Sequence, residues 1–211
     1  MPESTIGAVA VIFLSAVLTN NILLSRFLGM CSFIAISKNM RTAAGMGLAV
    51  TFVTTCTALL NYGIYYGVLV KNAPLLAADL TYLRYVIFIM VIAGFVQLVE
   101  MVIERTSPVL HVNMGIFLPL ITVNCAILGV TLFMIRSVRP FTLLETAAYA
   151  LGSGLGWLLA ICLMAGIRRR LEHADIPKPL RGLGITLIIT GLMAIAFLGF
   201  RTLQFGGALA Q

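Results

Sequence analysis

The chain has 211 residues, of which 61% are hydrophobic and 10% charged, with a formal net charge of +7. A mean hydropathy of +1.08 leaves too few polar side chains to cover a water-facing surface, which excludes a soluble globular domain and makes a bilayer the solvent. The cations lie in loops between apolar runs, so the positive charge reads as a topology signal and weighs against a nucleic-acid partner.

Apolar runs of about 20 residues, enough to cross roughly 30 Å of hydrocarbon, occur near 6–25, 43–70, 84–103, 114–135, 146–167 and 183–200. They predict an all-α integral membrane protein with six transmembrane helices, forming a single transmembrane domain over 1–211 with pseudo-repeats of about 1–104 and 105–211. The first run has no basic n-region, since Pro2 and Glu3 precede it, and reads as a retained helix. Lys38, Arg41, Arg105, Arg168, Arg169, Arg170, Lys178 and Arg181 follow the first, third and fifth runs; Lys71, Arg84, Arg136, Arg139 and Arg201 lie on the other side. The larger group marks the cytoplasm, so both termini are expected on the opposite face.

Two runs carry breaks. In the first, Arg26-Phe-Leu-Gly-Met-Cys31 places a cysteine just beyond Gly29; in the fourth, Cys125 follows Pro119 by six residues. A break frees backbone groups, which lipid tolerates only where protein, a cavity or a bound group satisfies them. Phe27-Leu-Gly-Met-Cys31 is echoed by Phe117-Leu-Pro-Leu and then Cys125. With three spans per half, this predicts a 3+3 inverted repeat whose broken first and fourth helices meet near the midplane. On these features alone, a secondary transporter or channel subunit is the leading reading.

In the third run Glu100 shares a helix face with Gln97. It is a candidate Na⁺ site, or an interfacial carboxylate paired with Arg105 or solvated beside Glu104. In the fifth run Gly152, Gly154 and Gly156 mark a close helix contact, as do Gly45, Gly47, Gly182, Gly184 and Gly191 elsewhere. Trp157 and the tyrosines read as interfacial or packing residues. Arg26 reads as a snorkelling interfacial cation, or as a charge placed near Cys31.

The four cysteines form no CxxC and no Cys/His cluster. Cys56 and Cys162 lie in unbroken runs and read as small buried hydrophobes. If Cys31 and Cys125 converge, they make half of a four-thiolate shell, and a partner chain must complete it. Asn20, Asn21, Thr122 and Asn124 read as packing residues that can also cap half-helices or orient the site.

Several stretches resemble the integral subunits of the sodium-translocating NADH:quinone oxidoreductase (Nqr) and of the related Rnf electron-transport complex. They are Phe27-Leu-Gly-Met-Cys31, Gln97-Leu-Val-Glu100-Met101, Gly115 through Gly129, Gly152 through Ile161, Ala165-Gly-Ile-Arg168 and Leu180-Arg-Gly-Leu-Gly-Ile-Thr186. Val123-Asn-Cys125, Gly156-Trp157 and Arg181-Gly-Leu-Gly184 are similar to the E-type subunits of Nqr, whereas Ser25-Arg26-Phe27, Tyr82-Leu-Arg84 and Thr106-Ser-Pro-Val-Leu110 are closer to the A-type subunits of Rnf. The resemblance implies a bacterial inner-membrane subunit, both termini periplasmic, that pairs with a homologous D-type subunit of opposite orientation inside a six-subunit complex with flavin-bearing subunits. It implies that Cys31 and Cys125 ligate one [2Fe–2S] cluster shared with that partner. The cluster would relay electrons across the bilayer from NADH oxidation towards ubiquinone, coupled to Na⁺ export.

Overall fold

The computed structural model of the chain describes residues 5–69, 81–106, 121–136, 141–171 and 182–201, together with Ala174, Pro177 and Leu180. Within these, the helices in chain order are α1 (Thr5–Val17), α2 (Met30–Ile36), α3 (Met40–Ile64), α4 (Arg84–Thr106), α5 (Cys125–Arg136), α6 (Leu143–Leu171) and α7 (Leu183–Arg201). No strand occurs among the described residues. α3 runs on through a π-helical turn at Tyr65–Leu69, and a 3₁₀ turn at Thr81–Leu83 leads into α4.

Four helices are long and apolar enough to cross a bilayer: α3 with its π turn, α4, α6 and α7. They coincide with the second, third, fifth and sixth apolar runs, because lipid leaves a helix no other way to satisfy its backbone. α1 and α5 are shorter, with 13 and 12 residues. Well before the break read at Gly29, the helix of the first run, 6–25, ends at Val17. Side chains beyond it compete for its carbonyls: Thr19 Oγ1 donates to Ser15 O at 3.0 Å, and Asn21 Nδ2 to Val17 O at 3.2 Å. Pro119 lies outside the described residues; within them the fourth run breaks at Val123–Asn124 and restarts as α5.

α3 and α6 pack antiparallel at the centre. A Cβ on Gly154 would stand 2.7 Å from the Thr51 Cα, and Gly47 faces Leu158 with no room for a side chain. α1 lies on the other side of α6, where a Cβ on Gly152 would meet Phe13 O at 2.7 Å and one on Gly156 would meet Val17 O at 3.0 Å. Small residues thus let the backbones approach, as expected of helices that gain no hydrophobic drive from lipid. The expectation fails at Gly182 and Gly191, where a Cβ would meet nothing within 4 Å. α7 is peripheral and exposes Leu187, Ile188, Leu192 and Ile195, so Gly191 has no close neighbour.

Four threonines of α3 are satisfied within the helix, whereas the buried Asn61 amide has no partner among the described residues. Thr51, Thr54, Thr55 and Thr57 each donate to the carbonyl four residues back at 2.6–2.8 Å. The core beside them is built on Trp157, Phe33, Phe88, Ile12 and Leu23, all fully buried. α4 turns Ile89, Met90, Leu98 and Met101 outward, an apolar surface suited to hydrocarbon and unsuited to water.

Candidate functional site

The two breaks meet. After α1 the chain turns through Phe27 and Gly29, both left-handed at φ 54° and φ 83°, and α2 continues along α6 in the direction of α1, from Trp157 towards Arg168. Gly29 is the N-cap of α2, so Cys31 falls in the first turn of that helix. Cys125 is the first residue of α5. The Gly29 N–H donates to Cys125 Sγ at 2.9 Å, joining positions 96 residues apart in the chain. Asn124 adds a second tie: its Oδ1 accepts the Ala126 N–H at 3.0 Å and so caps α5, while its Nδ2 lies 3.4 Å from Ser32 Oγ of α2. The Ser32 hydroxyl in turn donates to Gly29 O at 3.0 Å.

The junction sits against the middle of α6. Trp157, its central residue, is 1% exposed, and its Nε1 lies 2.8 Å from where a Cβ on Gly29 would stand. That indole N–H has no hydrogen-bond partner among the described residues. A 29-residue helix rises about 43 Å, and roughly 30 Å of that lies in hydrocarbon. A junction at its centre is therefore far from both water layers.

Neither cysteine is fully buried. Cys31 is exposed and Cys125 half-buried. Cys125 lines a cavity of about 260 Å³ whose wall includes Arg84 and Arg136. The guanidinium of Arg26 stacks 4.3 Å above the Phe133 ring of α5, so this cation bridges the first break to the second and is not merely snorkelling. Amide donors, the positive end of α5 and these cations all favour an anionic group. No group of three or more His, Cys, Asp or Glu residues forms a metal cluster among the described residues. Cys31 and Cys125 thus both belong to this junction, one in the first turn of α2 and the other at the start of α5.

The remaining candidates lie elsewhere. Cys56 and Cys162 sit inside the continuous helices α3 and α6, half-buried. Glu100 is half-buried on α4, one turn after the exposed Gln97, with exposed Arg105 further along.

The family model described as "Rnf-Nqr subunit, membrane protein" matches residues 9–204. The chain belongs to this family. It is 49% identical over 193 residues to the E-type subunit of the Na(+)-translocating NADH-quinone reductase of Haemophilus influenzae (strain PittEE), covering 92% of this chain and 96% of that one. The corresponding chain of the reductase from Proteus mirabilis is 47% identical over 193 residues and that from Rhodopirellula baltica 46% over 207, with the same coverage of each chain. The match extends through both breaks and through α6.

Several supports of this family fold have partners that were not evident from the sequence. Asn21 is fully buried; its Nδ2 donates to Gly156 O at 2.7 Å and its Oδ1 accepts the Leu23 and Leu24 amides at 3.1 and 3.3 Å. Arg168 is more than a topology cation, since its Nη1 donates to Ile34 O at 3.0 Å and to Ser37 Oγ at 2.7 Å, closing the C-terminus of α2. Glu145, 2% exposed, accepts the Thr142 N–H at 2.9 Å while Thr142 Oγ1 accepts the Glu145 N–H at 3.4 Å. This capping box starts α6, and the Thr-x-x-Glu spacing is its readable sign.

Proposed function

We propose that this chain is the E-type membrane subunit of a sodium-translocating NADH:quinone oxidoreductase, and that Cys31 and Cys125 are its two ligands to a [2Fe–2S] cluster shared with a homologous D-type subunit. The observation that carries this reading is the 2.9 Å bond from the Gly29 amide to Cys125 Sγ, which brings the two cysteine-bearing breaks to one place. The likeness to the E-type subunits, at 46–49% identity, supports the assignment to the complex.

The residues present fit such a group. Cys31 and Cys125 supply half of a four-thiolate shell at an edge that a second subunit can close. The absence of a Cβ at Gly29 lets its amide approach α5 closely enough to reach Cys125 Sγ, and the Trp157 indole N–H beside it is buried without a partner among the described residues. When bound, a [2Fe–2S] cluster accepts and passes on one electron at a time. The protein's part is to hold it and balance its negative charge. The Gly29 amide donates to the Cys125 sulfur, Asn124 fixes the first turn of α5, and Arg26 is held against the same helix by Phe133. Tight packing of α1, α3 and α6 excludes water from the inner side.

In this reading the subunit crosses the bacterial inner membrane six times as a 3+3 inverted repeat, α1 with α2 and α5 being the inner arms of the two broken spans. Both termini face the periplasm, and Arg168, Arg169 and Arg170 face the cytoplasm. A cluster held by Cys31 and Cys125 would supply a one-electron relay between the NADH-oxidising flavin and iron–sulfur groups of a cytoplasmic subunit and a flavinylated subunit that serves ubiquinone. Na⁺ is the coupling ion, and the Glu100 carboxylate gathers it at one membrane face. Iron analysis of the purified complex tests the assignment. Replacing Cys125 with Ala should remove two irons while leaving the flavins in place; full iron content in that variant would contradict it.

A further inference from the structure

We propose that the cleft between α1 and α6, with the basic pocket at its end, is a binding site for an anionic phospholipid. The inference is independent of the cluster reading. A groove of about 760 Å³ runs along α6 from Leu155 to Arg170 and is walled by Phe13 and Val17 of α1 and by Leu159 and Leu163 of α6. Its lining is apolar except at the Arg170 end. Fifteen residues of α6 rise about 22 Å, rather more than the roughly 15 Å depth of one leaflet's hydrocarbon. The groove therefore has the length an acyl chain covers from the headgroup level towards the midplane.

A second cavity, about 430 Å³, is lined by Lys38, Arg41 and Arg169, with no acidic residue in its wall among the described residues. Met40 lines both cavities, so the apolar slot and the basic pocket adjoin. The pocket is built, not incidental. Arg168 spends its guanidinium on Ile34 O and Ser37 Oγ, which pins the α2–α3 turn to the last turns of α6. That tie sets Lys38 and Arg41 opposite Arg169, three cations around one space with Arg170 at the head of the groove. Adjacent like charges repel and gain from an anion between them. A phosphate diester with its chains in the slot meets both halves of the site, whereas an apolar partner helix would leave the cations unmatched.

The test uses the intact complex in nanodiscs of phosphatidylcholine containing a small fraction of a lipid with a photoactivatable acyl chain, either phosphatidylglycerol or phosphatidylcholine. The phosphatidylglycerol probe should label the α6 segment 155–167 preferentially. The preference should fall about fivefold for each of Lys38→Gln, Arg41→Gln and Arg169→Gln, the factor that about 1 kcal/mol per basic residue near an anionic surface gives. Arg169→Lys should retain most of it. Equal labelling by the two probes would show ordinary annular lipid and overturn the proposal. So would an absence of labelling together with a cross-link from p-benzoylphenylalanine at position 159 to another subunit, which would make the cleft a protein interface.

Discussion

Replacing Gly29 with alanine should damage the junction of the two breaks more than any other single methyl group added to the chain. At φ 83° an L-residue pays about 1–2 kcal/mol in backbone strain. The new Cβ would also stand 2.8 Å from Trp157 Nε1, 3.0 Å from Asn124 Oδ1 and 3.1 Å from Ala126 Cβ. None of these neighbours is the free end of a flexible chain: Trp157 is fully buried, and Asn124 is held by its cap to Ala126. Overpacking of this kind costs about 1–3 kcal/mol, so the total is roughly 2–5 kcal/mol. The relief must come from movement of Gly29 away from α5, which stretches its bond to Cys125 Sγ. Thermal inactivation of the purified complex should therefore be at least about tenfold faster for Gly29→Ala. Adding Trp157→Phe, which removes the nearest atom, should recover part of the loss, as expected of directly coupled residues. Wild-type inactivation kinetics for Gly29→Ala would refute the geometry on which the junction rests.

Asn21→Ala removes the 2.7 Å bond to Gly156 O and leaves the buried Leu23 and Leu24 amides unpaired, so it should destabilise by about 1–3 kcal/mol in a heat-inactivation assay. Arg168→Gln should release the α2 C-terminus at a cost of about 1–3 kcal/mol, with Arg168→Lys recovering part; equal stability of all three would show that the contacts to Ile34 O and Ser37 Oγ are idle. Glu100→Gln should raise the sodium concentration for half-maximal turnover without altering iron content, and an unchanged sodium dependence would return Glu100 to the role of an interfacial carboxylate.

The long spans were legible because a bilayer demands long apolar runs, and α3, α4, α6 and α7 begin and end within a few residues of theirs. Gly29 and the cysteine after each break were legible because a glycine inside such a run needs a reason. The end of α1 was not. The run carries Thr19-Asn20-Asn21 between apolar neighbours, a dip too short to end a run of this length, while the helix stops at Val17 through side-chain bonds from Thr19 and Asn21. Asn21 was legible as a packing or capping residue, but its partner and those of Arg168 were not: they lie 135 and 131–134 residues away, and only the packed bundle brings them within reach. Trp157 fitted a membrane-interface residue as well as a core one, and its place at the centre of α6 against Gly29 appears only once both breaks are folded back onto that helix.

The central claim is that Cys31 and Cys125, and not Cys56 or Cys162, hold the cluster, and electron paramagnetic resonance of the four single serine variants tests it most directly. Serine keeps roughly the size of cysteine but offers a far less acidic oxygen in place of a thiolate. The intramembrane [2Fe–2S] signal and NADH-driven quinone reduction should be lost in Cys31→Ser and in Cys125→Ser, while NADH oxidation by an artificial acceptor survives. Cys56→Ser and Cys162→Ser should keep both, since a hydroxyl within a helix bonds back to its own carbonyls as the threonines of α3 do. A signal that persists in Cys31→Ser and Cys125→Ser, or that vanishes only in Cys56→Ser or Cys162→Ser, would contradict the account.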